Sequence, residues 1–137
     1  MIVVDASATL AWLFVEYDPI DWLSEQLSEQ ALVAPALWRL EVVNSILKKE
    51  RQGRITQEQA DKFLGTLDAF AVEIAALPET RTLEQLAKFA RPFQLSAYDA
   101  VYLELALAIN APLLSLDNNL KMAAARAGVG VVTGPMP

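Results

Sequence analysis

SAYDAVYLELALAINAPLLSLDNNL, residues 96–120, passes from a helix start through a proline-marked break into a short apolar run, and then into a second helix start. Ser96 with Asp99 three residues later reads as a capping box opening a helix to about Ile109. Pro112 to Leu116 reads as a short buried strand closed by Asp117, with a helix over Asn118 to Ala127. The N-terminus has the same form: Ile2 to Asp5 is a buried strand ending in an aspartate, and Ser7 is the expected N-cap of a helix through Thr9 to about Val15.

Between these ends, Asp18–Pro19 opens a second helix running to about Gln30, with proline at its first position. Ala31 to Ala34 is a strand ending at Pro35, and a long helix follows from about Ala36 to Gln52, stopped by Gly53. Thr56 and Gln59 form a capping box for a helix to about Ala69. Phe70 to Ala75 is a third strand, Pro78 to Ala90 a helix broken by Arg91–Pro92, and Val129 to Val132 a fifth strand before a Gly/Pro tail. Strands alternating with helical crossovers predict an α/β fold in one domain, 1–137, with a parallel sheet of about five strands covered on both faces. Ligands of such sheets collect beyond the carboxyl ends of the strands, the edge at which Asp5 and Asp117 fall.

The chain has no histidine and no cysteine, which excludes serine–histidine and cysteine–histidine catalysis and ordinary zinc sites. Chemistry is left to carboxylates, hydroxyls, lysines or metals. Of its 137 residues 54% are hydrophobic, above the roughly one half of an average globular protein, so a substantial core is expected. The apolar stretch from Val101 to Leu116 is interrupted by Glu104, Asn110 and Pro112, short of the roughly 20 residues of a membrane span. The N-terminus lacks the pattern of a signal peptide, so a cytoplasmic location is expected. A net charge of −6 weighs against nucleic acid. It weighs less if four of the seventeen acids face a metal and the eleven basic residues cluster locally.

Four acids stand out: Asp5, Glu41, Asp99 and Asp117. Each also has a purely structural reading. Asp5 and Asp117 can cap the helices that follow them, and Asp99 can complete the capping box with Ser96. On a helical wheel Ala36, Leu40, Val43 and Leu47 form an apolar stripe, and Glu41, Asn44 and Lys48 line its border as solvated polar residues would. The functional reading rests on convergence. Two like charges about 4 Å apart repel by roughly 4 kcal/mol at an effective dielectric near 20, so gathered carboxylates need a cation or a proton. Oxygen-only ligands select Mg²⁺ or Mn²⁺.

IVVDASATLAWL at the N-terminus, the glutamate of APALWRLEVVNSILKK, and the run from Ser96 to Leu120 together resemble the PIN-domain ribonucleases, and closely the VapC-type toxins of bacterial toxin–antitoxin pairs. The similarity covers nearly the whole chain. It implies a PIN-like three-layer α/β/α sandwich in which Asp5, Glu41, Asp99 and Asp117 bind metal and serve catalysis, with Ser7 and Asn44 supporting them. Asn118 and Asn119 stand where relatives can carry a further acid, which leaves a fifth ligand open. The implied activity is metal-dependent hydrolysis of RNA phosphodiesters with Mg²⁺ or Mn²⁺. The implied partners are RNA, a cognate antitoxin and a second copy of the chain.

Lys48, Lys49, Arg51 and Arg54 cluster at the end of the long helix, where Lys48 and Arg51 are candidate RNA contacts; solvated lysines and arginines favoured by the helix dipole are the plainer reading. Trp38 lies opposite the apolar stripe of its helix, and the first helix carries Trp12 and Phe14 on a nearly all-apolar surface. Excess apolar surface points to a partner face, with a core role the alternative for Trp12 and Phe14. Two other function classes compete. A phosphoacceptor receiver domain needs an aspartate after a central strand, which Phe70 to Ala75 lacks, and a lysine after a late strand, where Lys121 lies in a helix instead. A non-catalytic PIN-like RNA- or protein-binding module is disfavoured by the presence of all four acids.

Overall fold

In the computed structural model, which describes residues 1–14, 31–76 and 82–132, the apolar runs before Asp5, at Leu32–Pro35 and before Asp117 become buried strands, whereas the third strand is largely exposed. β1 (Ile2–Val4) and β2 (Leu32–Pro35) are buried at every position and pair in parallel, Ile2 opposite Leu32 and Val3 opposite Val33. β3 (Glu73–Ala75) pairs with β2, and β4 (Leu113–Leu114) with the far side of β1. The all-parallel order is β3-β2-β1-β4. The chain therefore steps outward from β1 to β3 and then returns to β1's other side. The reversal falls between β1 and β4, the place where α/β sheets open a crevice for ligands.

The helices are α1 (Ala6–Leu13), α2 (Leu37–Arg51), α3 (Gln57–Ala69), α4 (Leu83–Ala90), α5 (Ala97–Ile109) and α6 (Asn118–Arg126). α2 packs on β2 and against α1 and α3, while α5 crosses β1 and β2 and packs against α4 and α6. Helices thus cover both faces of the sheet, as the expected α/β/α sandwich requires. The Thr56–Gln59 capping box forms in both halves, at 3.1 and 2.9 Å. Thr82 and Gln85 make a second one at the start of α4. The helix expected over Asp18–Gln30, the start expected at Pro78, and the Gly/Pro tail lie outside the described residues.

Three expectations are corrected. Among the described residues the sheet has four strands rather than about five, because Val131 makes only an isolated parallel bridge to Leu113. β3 begins at Glu73 rather than Phe70: Phe70 still caps α3, and Ala71 takes a left-handed φ of 50° that no strand accepts. β4 stops at Leu114 because the next residues leave the ladder, Ser115 to bond Asp5 and Asp117 to cap α6.

The largest correction concerns α2. Its buried stripe is Trp38, Val42 and Ile46, whereas Leu40, Val43 and Leu47 from the expected stripe are exposed, Leu40 by 67%. Both sets satisfy helical periodicity; the indole decides between them. Trp38 is 7% exposed, and its Nε1–H donates to Thr9 Oγ1 at 3.0 Å, while Thr9 donates to the Asp5 carbonyl at 2.9 Å. Its polar edge is satisfied inside, so the large ring can be buried. Trp38 is therefore core and forms no partner face. Phe14 also packs against the core, edge-on to Phe63 at 5.0 Å between ring centroids, and the Trp12 side chain lies outside the described residues. Trp38→Phe, which keeps a ring but removes the N–H that Thr9 Oγ1 accepts from, is expected to lower stability by about 1–3 kcal/mol, read from the urea midpoint. Unchanged stability with weakened partner binding would return Trp38 to a partner face.

Candidate functional site

Asp5 leaves the carboxyl end of β1 and is the N-cap of α1, accepting from Ala8 N–H at 2.9 Å. The expected cap, Ser7, lies inside the helix instead. Its hydroxyl donates to both Asp5 oxygens at 2.8 and 2.9 Å and accepts from Leu116 N–H at 3.0 Å. Ser115, buried at the end of β4, also donates to Asp5 Oδ2 and accepts from Asp117 N–H at 3.0 Å. Two hydroxyls thus link the end of β1 to the end of β4. Burial raises the Asp5 carboxyl above its ordinary range; the bonds from Ser115, Ala8 and Ser7 partly offset this, and the charge of Asp117 adds to it.

Asp117 caps α6 through Oδ1, accepting from Leu120 N–H at 3.1 Å. The structural readings of Asp5 and Asp117 are therefore correct as far as they go. They do not exhaust either side chain, since a carboxylate offers about four acceptor positions. Asp99 differs. Ser96 Oγ accepts from its backbone N–H at 3.1 Å, but the Ser96 backbone N–H does not donate back to the Asp99 carboxylate, so there is no capping box here. Burial raises the Asp99 carboxyl, followed by the charges of Asp117, Glu41 and Asp5, against a smaller opposing effect of the Ser96 hydroxyl.

Glu41 is half-buried on α2 and accepts a 2.6 Å hydrogen bond from the Tyr102 hydroxyl. Tyr102 is buried, three residues after Asp99 and so on the same side of α5. Burial pushes its phenol well above the ordinary range, with contributions from the Glu41 bond and from the charges of Glu41, Asp5 and Asp99. Sequence reasoning missed Tyr102 and Ser115. The signals were an i, i+3 position from Asp99, and a hydroxyl two residues before Asp117 that mirrors Ser7 two residues after Asp5.

The fold therefore brings the four acids into one electrostatic neighbourhood, and among the described residues no lysine or arginine pairs with any of them. Among those residues, however, no three acids close around one point as a metal shell requires. Three are bonded elsewhere, Asp5 by the hydroxyls of Ser7 and Ser115, Glu41 by Tyr102 and Asp117 by the α6 N-terminus. The donor chemistry, all oxygen and uncompensated, fits a hard divalent ion.

Two open recesses adjoin this edge. One is lined by Ser7, Phe14, Lys48, Lys49, Arg54 and Leu116, among others, and Lys49 Nζ stands 4.6 Å from the Phe14 ring centroid. Arg51 is exposed and does not line it. The other is lined by Leu37, Leu40, Glu41, Asn44, Ser45 and Tyr98, and Ser45 belongs to both. Asn44 is exposed in the second recess and, among the described residues, hydrogen-bonds no carboxylate.

The PIN domain family model matches residues 2–126. Ribonuclease VapC3 of Pyrobaculum aerophilum is 31% identical over 120 residues, covering 87% of this chain and 91% of the relative. The crystal structure of PAE2754 from Pyrobaculum aerophilum superposes with a TM-score of 0.70 at 23% identity, over 89% of this chain and 83% of the other. That of FitAcB from Neisseria gonorrhoeae superposes with a TM-score of 0.63 at 14% identity, over 97% of each. These two likenesses concern the fold. With the family model spanning the acids from Asp5 to Asp117 and the curated relative aligned along most of its length, the chain belongs to the PIN-domain family and is of the VapC type.

Proposed function

We propose that the protein is an endoribonuclease, the toxin of a toxin–antitoxin pair, which hydrolyses RNA phosphodiesters with Mg²⁺ or Mn²⁺ held by Asp5, Asp99, Glu41 and Asp117. The observation that carries this is that four acids on separate elements lie near one another, the charges of Asp117, Glu41 and Asp5 all raising the Asp99 carboxyl, with no cationic partner among the described residues. A bound divalent ion supplies charge neutralisation at the scissile phosphate and a lowered pKa for coordinated water. The chain's own residues do the rest. Ser7 and Ser115 orient Asp5, Asp117 is fixed by its cap to α6, and Asn44 faces the recess beside Glu41. Lys48, with Lys49 and Arg54 in the adjoining groove, attracts the RNA backbone, with Arg51 adding charge outside it. A cognate antitoxin that covers this groove shields the acids. A second copy of the chain is proposed to cover the exposed Leu40, Val43 and Leu47 of α2.

The test is cleavage of a labelled RNA with Mg²⁺ or Mn²⁺ and with EDTA. Products only when the ion is present support the reading; equal cleavage in EDTA contradicts it, and RNA binding without cleavage under every ion condition favours the non-catalytic PIN-like module. Neutralising Lys48, Lys49 and Arg54 together is expected to weaken RNA binding and to lower the salt slope of log K by about 2 for three lost single-strand contacts. An unchanged slope removes these residues from the RNA path.

A further inference from the structure

Tyr98 is 62% exposed, and among the described residues no ring or hydrogen-bond partner engages it. It stands four residues before Tyr102, on the same side of α5, and Tyr102 reaches Glu41 on α2. Tyr98 accordingly lines the open recess beside Glu41, which holds about 450 Å³, within the roughly 300–1,000 Å³ of small-ligand sites. Leu37, Leu40 and the Tyr98 ring give this recess apolar walls, while Asn44 and Ser45 give it an amide and a hydroxyl. Among the described residues that line it, Glu41 carries the only charge. A phosphate has no cation to meet here and a carboxylate to avoid. The neighbouring recess is the opposite, since it carries Lys48, Lys49 and Arg54, and the two adjoin at Ser45.

We infer that this recess takes an unpaired base of single-stranded RNA, stacked on Tyr98, while the sugar-phosphate backbone runs through the basic recess. The inference rests on the proposed RNA-cleaving reading and adds a substrate class to it: RNA with a base free to leave its stack beside the cleaved phosphate. Every nucleobase has an uncharged π face, so an aromatic ring holds it without a cation and with little regard to sequence. Asn44 offers both donors and an acceptor, which match the edge that an unpaired base presents. In a duplex that edge and that face are occupied, so paired RNA is not accommodated. Tyr98 immediately precedes Asp99, which places the held base next to the bond on which the acids act. Leu40 also belongs to the surface assigned above to a second copy, the competing occupant. A copy seated in this recess covers Glu41, an acid of the proposed site, and this favours RNA.

Fluorescence anisotropy of a labelled single-stranded RNA on the full chain tests this, in EDTA and, on the Asp99→Asn background, with Mn²⁺. Tyr98→Ala is expected to weaken binding about 10-fold, and Tyr98→Phe, which keeps the ring, to restore it. An abasic nucleotide moved along the RNA supplies a readout that packing cannot imitate. At one position it is expected to weaken binding to the tyrosine protein as much as Tyr98→Ala does, and to weaken binding to Tyr98→Ala little, because the stack is lost only once. Losses that add at every position overturn the inference, as does a Tyr98→Phe protein as weak as Tyr98→Ala. Undiminished RNA affinity in Tyr98→Ala overturns it too, and if that variant also turns a dimer into a monomer in sedimentation, the recess belongs to the second copy. Absence of RNA binding under both conditions overturns the RNA-cleaving reading itself, whereas RNA bound equally with and without the Tyr98 ring overturns only the base site.

Discussion

Asp99→Asn is expected to lower RNA cleavage by about 10²–10³-fold while raising the thermal stability of the metal-free protein. The two effects share one cause. Asp99 is the acid whose structural role is weakest: its carboxylate closes no capping box, and its ionised form is opposed by burial and by three neighbouring negative charges. Removing its charge relieves that repulsion in the folded state and leaves the Ser96 cap on its backbone intact. The same change deletes an oxygen donor of the proposed ion site. Asp5→Asn is a poorer probe, because Asp5 also accepts from Ala8 and from two serines, so loss of activity there mixes with loss of structure. Asp99→Asn retaining full cleavage, or losing stability in EDTA, contradicts the assignment. The pair of measurements is a kinetic assay with Mn²⁺ and a melting curve without it.

Addition of Mn²⁺ at a hundredfold excess over its Kd is expected to stabilise the wild type by about 2.7 kcal/mol. For 137 residues that corresponds to roughly 9 °C in Tm. Asp99→Asn is expected to show little of that gain. The pH dependence has a definite sign. Asp5 and Asp99 are held above their ordinary value of 3.8, so the metal-free native state binds more protons than the unfolded chain as pH rises through the window above that value. Stability contributed by these groups therefore falls with rising pH in EDTA. Ion binding requires the ionised acids, so the gain from Mn²⁺ grows over the same range. Melting curves with Mn²⁺ and with EDTA should separate progressively from about pH 4 toward pH 7; parallel curves count against a carboxylate ion site.

The strand positions were legible because strands buried on both faces are unbroken apolar runs, as Ile2–Val4 and Leu32–Pro35 are. The Thr56–Gln59 box was legible because its chemistry is local. The face of α2 was not, since it carries two apolar stripes and the choice depends on Thr9, a residue on another helix that satisfies the indole. Likewise nothing before Phe70 announces that Ala71 will take a left-handed conformation and delay β3. At the site, Asp5 and Asp117 were legible as charges at strand ends in an apolar chain, whereas Glu41 and Asp99, both within helices, stood out only through convergence and the family resemblance. Their neutral supports were not, because a serine or tyrosine in a hydrophobic run reads as ordinary filler until the partner strand or helix is placed beside it. Ser7 shows the same limit: capping preference favoured it, but the carboxylate two residues earlier reaches the Ala8 N–H and the serine serves that carboxylate instead.

The central claim is that Asp5, Glu41, Asp99 and Asp117 together hold a divalent ion. Anomalous diffraction from crystals grown or soaked with Mn²⁺ tests it most directly. The predicted result is a peak between the ends of β1 and β4 within coordination distance of Asp5 and Asp99, with Glu41 and Asp117 drawn inward. No peak at that edge, with the four side chains unmoved at saturating Mn²⁺, contradicts it.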